Sequence, residues 1–174
     1  MPVYALGDAV PDIHPEAYVH PDAVVIGNVT LGPESSVWPT AVLRGDDGYI
    51  AVGARTSIQD GTIVHTTLRR PTLIGDEVTV GHNVHIEAAT IGNKVLISSG
   101  SVVLNGSDVD DGAVVAAGAV VSPNTHIPAR RMALGIPARV REDHEIPEDA
   151  YRYAVESYVA RGKRFRAELR KLST

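Results

Sequence analysis

Between Ile74 and Ile127 a β-branched aliphatic residue returns at a fixed interval: Ile74, Val80, Ile86, then Ile91, Ile97, Val103, Val109, Val115, Val121 and Ile127. The interval is six residues everywhere except between Ile86 and Ile91, where one residue is missing. Four positions after most of these residues sits a small or β-branched one: Val78, Val84, Val95, Ser101, Ser107, Ala113, Ala119, Thr125. The next position is often glycine or serine, as at Gly75, Gly81, Gly92 and Ser98. A period of six fits neither an amphipathic helix nor an alternating strand. It predicts an all-β solenoid in which each hexad makes a short strand and a corner, and three hexads make one triangular turn.

The same register runs earlier in the chain, through Val19, Val25, Leu31, Val37 and Leu43, with Ala23, Ser35 and Ala41 at the small positions. After Leu43 the next register residue is Val52, so Arg44–Tyr49 forms an extension. The register resumes at Val52, Ile58 and Val64. A second extension, Thr66–Pro71, precedes Ile74. Counted in threes from Val19, the hexads give about six turns, a prism of roughly 25–30 Å at ~4.8 Å per stacked strand. A solenoid needs no loops to stand, so extensions that interrupt one point to function. Residues 1–18 hold three prolines and read as a lead-in strand or loop. The coil is expected over 19–128, a return segment over 129–147 and a C-terminal region over 148–174. That last region holds a helix over 148–172, with Tyr151, Val155, Tyr158, Phe165, Leu169 and Leu172 on its apolar side and Gly162 as its weak point. Glu148 and Asp149 favour its start, Arg170 and Lys171 its end.

Composition narrows the function. The 174 residues suffice for one domain, and the single Trp and single Phe suit a narrow core of Val, Ile and Ala. A net charge of -5 argues against nucleic acid or an anionic membrane as the main partner. With no cysteine, disulfides and thiolate metal sites are excluded. The N-terminal residues lack a basic stretch followed by an apolar run, and no apolar run approaches a membrane span, so a soluble cytoplasmic protein is the expectation.

The hexad count also sorts polar side chains into columns. Hexads starting at Leu43, Val64 and Ile86 fall on one face, here the third. The outward residues that follow them, Arg44, His65 and Glu87, should stack with steps of about 5 Å. Hexads at Ile58 and Val80 fall on the second face, and two residues after them Asp60 and His82 should stack at a corner. His65 and Glu87 are close enough to share a metal. His82 is about 15 Å of extended chain away from Glu87, so one chain cannot close a site with all three. A three-fold trimer can, by packing one prism's third face against the next prism's corner. His85, about 7 Å before Glu87 on its strand, competes as a ligand. The same column also reads as an ion ladder or a trimer salt bridge without metal, and Arg44-Gly45-Asp46 as a plain tight turn. His14, His20, His126 and His144 read as solvated surface histidines.

Arg44-Gly45-Asp46, the run Ala54 to Gly61, His65, Gly81-His82-Asn83, Thr90 to Asn93, and the closing Leu134 to Val140 together resemble the γ-class carbonic anhydrase family of left-handed β-helix proteins. The resemblance spans residues 8–145. It implies a homotrimer that binds Zn2+, or Fe2+ or Co2+, between neighbouring subunits and reversibly hydrates CO2 to bicarbonate by a metal-bound hydroxide. It places metal ligands at His65 and His82. The family's third histidine falls on Glu87, so the implied set is His65, His82 and Glu87, with His85 the alternative third ligand. By the same resemblance Gln59 orients substrate, Arg44 and Asp46 pair between subunits, and Asp60 supports a ligand; Asp47 is a shuttle candidate. Two other classes stay open: a hexapeptide-repeat acyltransferase using acetyl-CoA, and a weakly catalytic or non-catalytic trimeric binding protein.

Overall fold

A computed structural model describes residues 2–172. It is a left-handed parallel β-helix followed by one C-terminal helix, α1 (Arg152–Glu168). Every residue of the six-residue register lies in the interior. Val25, Leu43, Ile58, Val64, Ile86 and Ile97 are fully buried, and the small position between hexads is filled by Ala23, Thr62, Val84 or Ser101. The burial follows from the turn length. Most strands are two or three residues long, so one side chain of each points inward and meets its counterpart a turn above and a turn below.

The coil has about seven turns, one more than the register predicts. On the first face seven residues align in parallel register: Ile13, Leu31, Val52, Ile74, Ile91, Val109 and Ile127. The added turn comes from the N-terminal residues. Val3–Tyr4 and Asp12–Ile13 both pair with Val24–Leu31. Ile13 stands six residues before Val19 and so belongs to the register; Pro2, Pro11 and Pro15 obscure it. Proline is tolerated there because a terminal turn has no further strand to receive its missing N–H. At the other end the register continues past Pro128: Arg131–Leu134 pairs with Val114–Val115, with Ala133 buried in the aliphatic position. Arg139–Glu145 then folds back antiparallel on that strand and covers the open edge.

α1 lies on the second face, over Tyr18–Val19, Ser36–Val37 and Ser57–Ile58. It is shorter than the expected 148–172. Tyr151 is its N-cap, and Leu169 and Leu172 lie beyond its end and are exposed. Glu148 and Asp149 precede the helix rather than charge its first turn, and Asp149 turns away to meet Lys94 at 2.7 Å. Arg166, not Arg170 or Lys171, is the basic residue of the last turn. Gly162 is the point of closest approach: a Cβ there would stand 3.4 Å from the Cβ of Tyr18. The chain's rings gather outside the prism for the same reason that they are few. Trp38 packs edge-on against Tyr158 and Phe165, with ring centroids 5.3 and 5.1 Å away, and against Tyr18 at 5.5 Å.

Two charged contacts clamp α1. Lys163 pairs with Glu34, and Lys94 with Asp149 just before the helix. Arg166 donates to the carbonyls of Pro15 and Ala17. Against these, Ser57 Oγ and Thr79 Oγ1 are buried on this face without a partner, which costs about 1–3 kcal/mol each. The seat is therefore modest, and its charges matter. The hydrogen bond from Lys163 holds the Glu34 carboxyl below its ordinary value despite burial. Asp149 is lowered by Lys94 in the same way. A depressed carboxylate contributes stability above its unfolded pKa and loses it as pH falls through the folded one. Acidification below about pH 4 is thus expected to release α1 before the coil unfolds. Fluorescence of Trp38, the only tryptophan, should report the release while far-ultraviolet dichroism keeps its β signal.

Candidate functional site

Both extensions are folded against the coil. The first lies inside the strand Val42–Val52. Gly27 pairs with Gly45 and Val29 with Ile50, so Asp46, Asp47, Gly48 and Tyr49 stand opposite Asn28 alone. Such an insertion bends the strand outward and re-aims its side chains. The second extension is a tight hairpin: Thr67 and Arg70 exchange backbone hydrogen bonds at 3.2 Å, with Leu68 exposed at the tip. The two touch at Gly48, whose Cβ would come within 2.7 Å of Thr67 O. Only glycine permits that approach.

The third-face column forms as the hexad count requires. Arg44 pairs in register with His65, and His65 with Glu87. The bulge folds Asp46 back over this column, where its Oδ1 lies 3.1 Å from His65 Nε2. Arg44 Nη1 donates to the other oxygen, Oδ2. Arg44 and Asp46 thus pair within one chain. Burial pushes the Asp46 carboxyl up, but hydrogen bonds from the backbone and from His65, with the Arg44 charge, outweigh it and hold the group below its ordinary value. His85 and Glu87 face each other across their strand, Nε2 to Oε2 at 3.5 Å. Asp47 lies on the exposed part of the bulge beside Asp46.

The second column forms at the corner beyond the second face. Val80 pairs in register with Ile58, and His82 Nδ1 lies 3.0 Å from Asp60 Oδ2. The preceding residue, Gln59, is 4% exposed, its backbone N–H bonded to Val80 O at 3.0 Å. The structure therefore brings His65, Glu87, His85, Arg44 and Asp46 together, and His82, Asp60 and Gln59 at a different corner. Among the described residues, no three His, Asp or Glu side chains of one chain converge on a common point.

The donor chemistry fits a divalent metal. An ionised carboxylate accepts only from a protonated ring nitrogen, so Asp60 fixes the His82 proton on Nδ1 and leaves the Nε2 lone pair outward. Asp46 likewise fixes the His65 proton on Nε2, and Nδ1 keeps its lone pair. Two imidazoles backed by carboxylates, with Glu87 in the His65 column, make a nitrogen and oxygen donor set that Zn2+ or Fe2+ accepts. Of the histidines expected to be solvated, His20 is instead 9% exposed, with its Nδ1 accepting the N–H of Asp22 at 3.1 Å. His126 meets Asp110 at 2.8 Å.

Sequence reasoning missed Thr72. This fully buried hydroxyl donates to the carbonyl of His65 and accepts the N–H of Ala88 at 2.9 Å. It ties together the ends of the two strands that carry His65 and Glu87. The shortened hexad between Ile86 and Ile91 makes this possible, by bringing Ala88 into the left-handed region (φ 48°) at the corner. The missing residue in the repeat was the visible signal, but which hydroxyl it would meet was not.

Several proteins are similar to this chain. Protein YrdA of Escherichia coli is 41% identical over 160 residues, which cover 87% of each chain. Carnitine operon protein CaiE of Escherichia coli is 37% identical over 139 residues, 80% of this chain and 71% of that one. Gamma carbonic anhydrase 1, mitochondrial, of Arabidopsis thaliana is 41% identical over 138 residues, 76% of this chain but only half of the relative. Among solved structures, a putative acetyltransferase of Bacillus cereus superposes with a TM-score of 0.91 at 31% identity, covering 95% of this chain and 96% of that one. A hexapeptide transferase family protein of Anaplasma phagocytophilum gives 0.88 at 31% identity, covering 94% and 97%. No protein-family profile matches the chain.

Replacing Thr72 with Val leaves the Ala88 N–H only its longer bond to the His65 carbonyl, at 3.3 Å. The loss expected in chemical denaturation is about 0.5–1.5 kcal/mol. Divalent-metal affinity of the assembled protein should fall with it, because the strand ends that carry His65 and Glu87 are then held less firmly.

Proposed function

The chain belongs to the γ-class carbonic anhydrase-like family of left-handed β-helix, hexapeptide-repeat proteins, and from that membership we propose that it reversibly hydrates CO2 to bicarbonate at sites shared between neighbouring copies in a homotrimer. The observation that carries this reading is the pair of columns: His65 in register with Glu87 on one face, and His82 backed by Asp60 at another corner. Each holds part of a ligand set, and only a second chain can bring them together. His65 and Glu87 of one copy with His82 of the next would hold the ion, with His85 the alternative to Glu87.

A bound Zn2+ or Fe2+ supplies water activated for attack at near-neutral pH. The rest is the work of the chain. Asp60 orients the His82 ring and fixes its tautomer. Asp46 does the same for His65 and is itself held by Arg44. Gln59, one residue before Asp60 and nearly buried, offers an amide whose N–H can steer CO2 or bicarbonate. Asp47, on the exposed bulge, is placed to pass protons to solvent.

An acetyl-CoA-dependent acyltransferase is the second reading, favoured by the names of the two structural neighbours at 31% identity. Calorimetry with coenzyme A separates the two: saturable binding supports the transferase. No helix among the described residues is long and apolar enough to cross a membrane.

The carboxylate of Glu87 brings negative charge to the ligand set, so hydration is expected to be slow near neutrality and to rise as pH rises. A stopped-flow profile from pH 6 to 9.5 on protein purified without a His tag and loaded with Zn2+ or Fe2+ checks this. A fully loaded sample that hydrates no CO2 anywhere in that range would contradict the proposal. His82→Ala is expected to abolish both metal retention and turnover.

A further inference from the structure

Along one corner of the prism, away from the histidine columns, runs a series of residues with left-handed backbone: Glu34 (φ 54°), Arg55 (57°), Glu77 (57°), Lys94 (56°), Gly112 (67°) and Arg130 (56°). They are consecutive rungs. The N–H of Arg55 donates to Pro33 O, that of Glu77 to Ala54 O, that of Lys94 to Asp76 O, that of Gly112 to Asn93 O and that of Arg130 to Asp111 O, all between 2.8 and 3.0 Å. The first four rungs alternate in sign. Arg55 bridges Glu34 at 3.3 Å and Glu77 at 3.2 Å. The fifth rung, where the alternation calls for an acid, is Gly112. The sixth is again a cation. Two positive rungs therefore flank one that has no side chain.

The gap opens into a cavity of ≈370 Å3 between the coil and the segment that leads into α1. This volume suits a small molecule. A Cβ on Gly112 would meet only the Cγ of Arg130, at 3.1 Å. Ile146 and Val155, 3% and 5% exposed, form an apolar wall across from it. Of the acids that also line the cavity, Glu77 is engaged by Arg55, Asp149 by Lys94, Asp111 Oδ1 accepts the N–H of Asn93 at 2.7 Å, and Glu148 is solvent-exposed. The cations keep donors in reserve. An ammonium has three and a guanidinium five. Lys94 directs one to Asp149, while Arg130 uses Nε on Ile146 O and Nη2 on Glu145, both at 3.0 Å.

We propose that this cavity binds a small carboxylate with a short apolar tail. The carboxylate occupies the missing fifth rung, above Gly112 and between Lys94 and Arg130, and the tail lies against Ile146 and Val155. This site is independent of the metal reading, since it sits at another corner and uses none of the same residues.

Butyrate is the probe, titrated into the full chain at low ionic strength by calorimetry and saturation-transfer NMR, with 1-butanol and butylammonium as controls of the same length. One saturable butyrate site per chain is expected, with both controls at least about tenfold weaker, because a charge-assisted hydrogen bond is worth a tenfold change or more. Two variants should each weaken butyrate by a similar factor. Arg130→Met removes a flanking cation. Gly112→Glu supplies the absent acid covalently, in a backbone conformation that Glu34 and Glu77 already hold. Circular dichroism checks that each variant folds, and the ligand series on the unaltered chain needs neither of them. The proposal is overturned if butyrate does not saturate, if butanol or butylammonium binds as well, or if butyrate binds folded Arg130→Met and Gly112→Glu undiminished.

Discussion

Everything in this molecule depends on the register with which one short strand lies on the next. A parallel rung is held by backbone hydrogen bonds to the turns on either side, and its inward aliphatic residue meets the same kind of residue above and below. Once that register holds, outward side chains have no choice of neighbour. His65 stands beside Glu87, and Asp60 beside His82, because Val64 stands on Ile86 and Ile58 on Val80. The fold does not build a pocket in the usual sense. It builds columns, and the proposed chemistry needs a column from one chain to meet a column from another.

The regular coil and the irregular parts divide the work. The coil fixes the positions of the columns; the first extension and the shortened hexad tune them. The bulge at Asp46–Tyr49 returns a carboxylate to His65, and the five-residue step after Ile86 lets the hydroxyl of Thr72 join the strand ends of His65 and Glu87. α1 is attached differently. It rests on rings and two ion pairs over a face that still contains unpartnered hydroxyls. The corner ladder from Glu34 to Lys94 runs between its two clamps, so the charges that order the corner also hold the helix.

Much of this was legible in the residues because a period of six encodes both burial and neighbours. The interior positions from Val19 to Ile127 and both polar columns follow from counting. What stayed hidden depends on contacts that a period does not encode. The first turn was masked because Pro11 and Pro15 surround Ile13. α1 ends early because Leu169 and Leu172 find nothing to pack on. Gly162 reads as a weakness in an isolated helix, yet it is where the helix comes nearest to Tyr18. Arg44 and Asp46 were legible as partners, but not that the bulge would turn them onto His65 of the same chain. The alternating corner charges were visible as letters; only the left-handed backbone shows that they form one ladder with a rung missing.

The central claim is that one copy's His65 and Glu87 act with a neighbour's His82. Complementation in mixed oligomers tests it most directly. His65→Ala and His82→Ala chains should each retain no metal alone, yet regain part of the wild-type metal content when unfolded and reassembled together, because some seams then join an intact His65 to an intact His82. If the mixture stays as metal-free as its parents while forming the same oligomer, the ligands do not meet across a seam and the account fails.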